Sequence, residues 1–402
     1  MTGDEAVRRA AAGLIVALFV AYALWTFPAN REDTRRLLDF SEFYAAGQMV
    51  RQGLGAQLYD LRAQAEFQLQ SAAVHAFYLR PPFEALLFVP FTFLSYRAAY
   101  AAWVIVSVAM LTCVARIMRK NTNVLAAMLQ YTHGIPVDLG LLLVVMLTFA
   151  PTMNCILIGQ DSVLLLLVYA LTFLALRRGR ELAAGAWLAC GLFKFHLVLP
   201  FVVIFALRRR WWFLLGFLGV GLLLIGISML VSGPGVIVAY PKMFLDSQAR
   251  SLMGFQPEYA ANIRGLVYLT AGGRIPGAMS GGIVAAISAV LLWITAWRWN
   301  DKEFELCFSA AVVATLLTGF HAFVYDLILL LLPVTITIGE LAKRKALLRN
   351  LPLNLALVVL FIPPVHHFLI ACHLYALMGM LLVALFAVLI KATAHRSYCE
   401  AS

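Results

Sequence analysis

From residue 10 onward the chain alternates between long apolar runs and short polar or basic breaks. The first run, Ala10–Phe27, leads into a polar stretch, 29–80. Then come Phe83–Leu94, Arg97–Ile117, Asn123–His133, Val137–Ile158, Val163–Leu176, Leu182–Leu207 and Trp211–Val231. A second polar stretch, 232–280, precedes Ile283–Trp299, Phe304–Phe320, Val324–Ile338, Leu351–Ile370 and Leu374–Ile390. Most of these runs approach the ~20 residues that a spanning helix needs. They are continuous and rich in Leu, Ala and Val rather than alternating, which excludes a closed membrane barrel. The pattern predicts an all-α polytopic membrane protein with about 11–13 spans. It reads as one integral domain over residues 1–402, capped by two outer-face loops bearing short interfacial helices.

The loop 29–80 holds two stretches compatible with helix, 39–52 and 61–74, separated by Gly53 and Gly55 and closed by Pro81-Pro82. Phe40, Phe43, Tyr44 and Met49 recur at roughly helical spacing, as in helices that lie along a membrane interface. Asp39 and Glu42 are three residues apart, so a helix would carry both carboxylates on one face. The second loop, 232–280, holds Pro234, Pro241, Pro257 and Pro276 and no apolar run of spanning length.

Composition agrees with a membrane class: 63% of the 402 residues are hydrophobic and 13% charged, against about 25% charged in soluble domains. The net charge of +11 changes the picture only through its distribution. Arg8-Arg9, Arg177–Arg180, Arg208–Arg210, Lys343–Lys345 and Lys391 with Arg396 sit in short breaks between runs. That is the positive-inside pattern, with both termini cytoplasmic. Anionic membrane lipids are a sufficient partner for these clusters, and nucleic acid is not required. Ala10–Phe27 reads as a retained signal-anchor helix. The six cysteines lack paired spacing and read as small core residues. One ambiguity concerns Arg116, Arg119 and Lys120: if Phe83–Leu94 and Arg97–Ile117 both cross, this group lands outside. If one is re-entrant, it lands inside.

Several polar residues interrupt apolar runs, where a charge is expensive and usually faces a cavity. Lys194, in GLFKFH, either snorkels to the interface or meets a lipid phosphate. His321 and Tyr325, in GFHAFVYDL, would share a helix face, with Asp326 alongside, and point to a site. Gln160 and Asp161 fall between two runs, where a helix cap is the plain explanation. Asn262 and Arg264 could orient a polar ligand or satisfy loop backbone. No His/Asp cluster has metal-ligand spacing.

The stretches DFSEFYAAG (39–47), GLGAQLYD (53–60), YLRPPFEALLFVPF (78–91), IGQDSVLLLL (158–167), AGAWLACGLFKFH (184–196), NIRGL (262–266) and HAFVYDLILLLLP (321–333) occur in an order that resembles glycosyltransferase family 87. These are polytopic mannosyltransferases of GT-C fold that use polyprenyl-phosphate-linked sugars. The resemblance implies that Asp39 is the catalytic base; Lys194, Arg264, His321 and Arg80 are the cations available to bind a donor phosphate. Glu42, which could share the base role or hold a sugar hydroxyl, and Tyr44, Tyr59, Tyr78, Gln160, Asn262, Tyr325 and Asp326 are the candidate substrate contacts. Two positions depart from the family pattern: Arg80 stands before the paired prolines where many relatives are less basic, and Phe195 follows the lysine where many have proline.

Elementary chemistry is compatible with that picture. Transfer to a hydroxyl needs a carboxylate general base within hydrogen-bond reach. The leaving phosphate gains negative charge and needs cations rather than an acid. One base with no evident nucleophile implies an inverting single displacement, with no metal or other cofactor. The expected partners are membrane lipids, a polyprenyl-phosphate-linked sugar and a glycolipid or glycan acceptor. The expected location is a bacterial inner (plasma) membrane with the active site on the outer face. The competing class is a transporter or flippase, whose polar residues would line a pathway joining both faces. An enzyme would gather them around one cavity.

Overall fold

A computed structural model describes residues 39–71, 77–122, 138–249, 256–271, 274–343 and 359–399. The expected run Asn123–His133 and the anchor Ala10–Phe27 lie outside the described residues. What is described is helical, with no strand. In chain order the helices are α1 (Phe40–Arg51), α2 (Leu61–Ser71), α3 (Pro82–Phe88), α4 (Tyr96–Asn121), α5 (Leu139–Thr148) and α6 (Ala150–Ile158). Then come α7 (Ser162–Arg177), α8 (Glu181–Ala189), α9 (Phe195–Leu207), α10 (Trp211–Ser232), α11 (Val236–Ala249) and α12 (Ile263–Ala271). The last are α13 (Gly277–Arg298), α14 (Phe304–Thr318), α15 (Leu331–Lys343), α16 (Pro363–Ala371) and α17 (Met378–Cys399).

Four segments are long and apolar enough to cross a membrane: α4, α10, α13 and Tyr375–Thr393, which includes most of α17. Two bent pairs, α5 with α6 and α8 with Leu192–Leu207, also pass by length and composition taken together, making up to six candidates among the described residues before their course is considered. The 77° bend between α5 and α6 falls at Phe149, whose backbone is extended, two residues before Pro151. Proline lacks the N–H that a helix interior requires, but it fits the first turn of a new helix.

The core is built around α14, where every residue from Leu306 to Leu317 is buried. A helix apolar on all sides belongs in the middle of a bundle. Its polar members are accommodated locally; Ser309 Oγ, for example, donates to the Glu305 carbonyl at 2.8 Å. Helices α8 and α10 approach closely through Gly185 and Gly216, where any Cβ would run into the backbone carbonyls of Phe213 and Leu182. By contrast α13 buries only Leu292, Thr295 and Ala296 and exposes Ile283, Ile287, Val290, Trp293 and Trp297.

The two ends of the bundle differ in chemistry. At one end the basic breaks meet: the Arg177 guanidinium donates to the Asn121 carbonyl and lies 3.2 Å from Glu305. Arg210 pairs with Glu181 at 2.7 Å and with Asp301 at 2.5 Å. Helix α7 runs from this end to Asp161, about 24 Å away at 1.5 Å per residue. Arg119 and Lys120 therefore share an end with Arg177. This matches the re-entrant alternative, because 81–94 begins and finishes at the far end. There Arg80 faces Asp161, and the Leu94 carbonyl accepts from Tyr44 of α1 at 2.8 Å.

Two expectations need correction. The run 182–207 does not cross as a single span: Glu181 and Arg210 at its two ends are bonded to each other, and the chain bends by 62° between them. Lys194 at the break draws the turn toward Asp161 and Asp326. Helix α1, expected to lie along an interface, is instead buried on nearly every side. Phe43 stacks on Phe88 of α3 at 4.7 Å, and Gly47 sits so close to the Phe88 backbone that a Cβ would approach it to 2.9 Å. The small residues Ala45, Ala46 and Gly47 permit that depth, and they convert a surface segment into a floor for the cavity beside it.

Candidate active site

At the end of the bundle opposite the basic loops lies a cavity of about 750 Å³. Asp39 and Glu42 line it from the start of α1, Arg80 from the segment before the paired prolines, and Gln160 from the α6–α7 turn. Lys194 enters from the α8–α9 turn, His196 from the first turn of α9, and His321, Tyr325 and Asp326 from the connection between α14 and α15. Aromatic residues, including Phe193, Phe195, Tyr240, Phe244 and Phe323, form much of the remaining wall. Besides Asp39 and Glu42, eleven residues were singled out by sequence, spread from position 44 to position 326; the fold brings six of them, Arg80, Gln160, Lys194, His321, Tyr325 and Asp326, to the same space as the two carboxylates.

Lys194 is the hub of this arrangement. Its Nζ lies 2.7 Å from Asp161 Oδ1 and 2.7 Å from Asp326 Oδ1, and it donates to Ser162 Oγ. Ser162 Oγ in turn donates to Asp326 Oδ1 at 2.9 Å. The other oxygen of Asp326 accepts from the Phe323 backbone N–H at 3.1 Å. Arg80 Nη2 stands 3.7 Å from Asp161 Oδ1. Lys194, Asp161 and Asp326 are all essentially inaccessible to solvent, so two cations and two carboxylates neutralise one another inside the protein. Lys194 neither snorkels nor presents an open positive charge. Glu84 of α3, fully buried and within electrostatic reach of Asp161, adds a further carboxyl.

The turn Gly159–Asp161 serves both halves of the site. Gly159 has φ +74°, and a Cβ there would meet Phe40 Cβ at 2.6 Å, so only glycine allows the turn to touch the start of α1. Gln160 Nε2 then donates to Asp39 Oδ2 at 2.5 Å. Asp161 precedes α7 but makes no side-chain cap bond; the plain cap explanation gives way to its ion pair with Lys194. His321 does not share a helix face with Tyr325. Residues 321–323 are non-helical and a 3-10 turn begins at Val324, so the two side chains reach the cavity from different backbone geometries. The His321 and His196 rings lie 5.5 Å apart, and the Lys194 ammonium sits 4.8 Å above the Tyr325 ring.

Other sequence candidates are placed elsewhere. Tyr44, Tyr59 and Tyr78 donate to the carbonyls of Leu94, Arg80 and Pro81 at 2.8, 2.9 and 2.8 Å. They fix the backbone around the site instead of lining it. Asn262 is buried, donating to the Gly319 carbonyl at 2.7 Å and accepting from the Gly265 N–H at 2.9 Å, which anchors α12 beside His321. Arg264 stacks over Phe320, its guanidinium carbon 4.1 Å from the ring centroid. Its Nη1 is buried without a hydrogen bond among the described residues. Sequence reasoning misses Ser162 and His196, and reads Asp161 as a cap. The available signal was the need of a buried Lys194 for counter-charges.

Burial pushes the Glu42 carboxyl well above the ordinary carboxylate range, and neighbouring Asp39 adds to this; Arg80 opposes it. For Arg80, burial works against the charge, but Asp161, Glu84 and Glu42 outweigh it and raise the guanidinium further. A second cavity, about 400 Å³, lies among Arg177, Glu181, Arg210 and Asp301 at the basic end. The two cavities share no lining residue.

The model of glycosyltransferase family 87 matches residues 78–333, more than half of the chain. No curated protein and no solved structure gives a match.

Proposed function

The chain belongs to glycosyltransferase family 87, and from that premise we propose that the cavity beside α1 transfers mannose from a polyprenyl-phosphate donor to a lipid-linked or glycan acceptor. The observation that carries the reading is the meeting of Asp39, on one short helix, with Lys194, His321 and Asp326 from distant segments around one cavity. The choice of mannose and of a polyprenyl phosphate rests on the family resemblance. The aromatic wall is compatible with a lipid-linked substrate.

In this reading the Asp39 carboxylate accepts the proton of the acceptor hydroxyl as that oxygen attacks the anomeric carbon. The bond from the anomeric carbon to the phosphate oxygen breaks, and the phosphate leaves with the electron pair. One displacement inverts the anomeric centre. His321, which lines the cavity, is the group assigned to the departing phosphate, and Arg264, outside the lining but stacked on the adjacent Phe320 with an unbonded buried nitrogen, is assigned to reinforce it. Lys194 and Arg80 contribute from behind Asp161 and Asp326, and Glu42 and Tyr325 contact the sugars. The scheme needs no metal. Facing away from the basic loops, the site belongs to the non-cytoplasmic side by the positive-inside rule. The gathering of the polar residues around one cavity at one end of the bundle favours an enzyme over a transporter.

The test is a transfer assay with radiolabelled polyprenyl-phosphate-mannose, using membranes that carry wild type, Asp39→Ala or Arg264→Gln. The expectation is loss of labelled product for Asp39→Ala. Arg264→Gln should weaken turnover at least about tenfold, as removal of a donor to developing charge does. Equal labelling by wild type and Asp39→Ala overturns the assignment of the base.

A further inference from the structure

We infer that Gln160 is a positioning residue for Asp39 rather than a substrate ligand. This rests on the reading of Asp39 as the base. The Gln160 amide donates to Asp39 Oδ2 at 2.5 Å, across 121 positions of sequence. Its backbone is held from several sides. Gln160 N–H donates to the Cys155 carbonyl at 2.9 Å, and Trp103 Nε1 donates to the Gly159 carbonyl at 3.1 Å. Tyr100 OH donates to the Leu157 carbonyl at 2.7 Å. Gly159 closes directly on Phe40, the residue after Asp39.

An amide aimed in this way has two physical effects. It fixes the rotation of a short carboxylate that otherwise turns about its own side-chain bonds. It also commits Oδ2 to a charge-assisted bond, so the carboxyl plane is set before the acceptor arrives. Preorganisation of a general base matters because proton transfer demands hydrogen-bond distance to the acceptor hydroxyl. The next residue, Asp161, holds Lys194. One rigid turn thus sets the base with one side chain and the buried ion cluster with its neighbour.

The experiment uses full-length protein in phosphatidylethanolamine/phosphatidylglycerol nanodiscs, with radiolabelled polyprenyl-phosphate-mannose as donor and the lipid extract of the producing cells as acceptor. The variants are Gln160→Met, of similar length but without the donor, Asp39→Asn, and the double variant. Loss of one hydrogen bond to a charged group should lower kcat roughly tenfold to a hundredfold, with donor KM unchanged. In the Asp39→Asn background Gln160→Met should change the residual rate less than twofold, because residues acting as one unit are not additive. If Gln160→Met does not accumulate, Gln160→Leu carries the same test, lacking the donor and adding no charge beside Asp39. A raised donor KM with unchanged kcat, or an additive double variant, overturns the Gln160 inference while leaving Asp39 as the base. An Asp39→Asn protein that turns over at the wild-type rate overturns both.

Discussion

Replacing Lys194 by methionine removes the one cation that both Asp161 and Asp326 contact at 2.7 Å. At an effective dielectric near 20, each contact is worth about 6 kcal/mol of attraction. Withdrawing the three charges from water opposes this by several kcal/mol per ion. The remainder is a difference of large quantities, but deletion of one partner is less ambiguous. It strands two carboxylates that are almost wholly buried, and breaking a buried pair in this way costs about 3–5 kcal/mol. Arg80, 3.7 Å from Asp161, offsets part of that loss for one carboxylate and none for the other. Lys194→Met should therefore lower the apparent Tm of the detergent-solubilised protein by roughly 3–10 °C. Adding Asp326→Asn should recover more than half of the loss, since the orphaned charge is gone while the amide oxygen still accepts one of the two bonds that Ser162 and the Phe323 N–H make. A lysine held only for an incoming phosphate would behave in the opposite sense: its removal would leave the unliganded protein as stable as before. Lys194→Met melting at or above the wild-type temperature, or a double variant less stable than the single, would refute the reasoning.

Two further outcomes follow from particular residues. The Glu42 carboxyl is held protonated above its ordinary range by burial and by Asp39. The folded state therefore binds a proton that the unfolded chain releases near pH 4.5, and this contribution to stability is present at low pH and lost as pH rises through the elevated value. Glu42→Gln, which fixes the neutral form, should flatten that decline, read as Tm against pH; a decline as steep as in wild type would exclude Glu42 as its source. Gly159→Ala must place a Cβ against Phe40 at a φ of +74°, a conformation costing about 1–2 kcal/mol for an L-residue before any clash. It should depress transfer activity through Asp39 and Gln160 with little change in membrane insertion, checked by parallel activity and expression measurements.

What the sequence determined on its own was the class, and the residues of interest one at a time. Apolar runs near bilayer length follow from the requirement that every backbone polar group in lipid be bonded within its own segment, so the helical bundle is legible from composition and periodicity. The basic breaks are equally legible, because a charge repels the hydrocarbon wherever it stands. Asp39, Lys194 and His321 attract notice for the same reason. The counter-charges of Lys194 were not legible: Asp161, at a helix start, has an adequate local explanation as a cap, and no spacing rule links it to position 194. The depth of α1 was also hidden, since the same helical spacing of Phe40, Phe43 and Tyr44 suits a membrane surface or a protein interior; the partner that fills Gly47, the Phe88 backbone, comes from another segment. Tertiary structure alone decided that 182–207 turns back and that Tyr44, Tyr59 and Tyr78 spend their hydroxyls on backbone carbonyls. It alone joined Gln160 to Asp39. Local propensity is written in neighbouring residues, whereas the neutralisation of a buried charge depends on groups that only the folded chain brings within 3 Å.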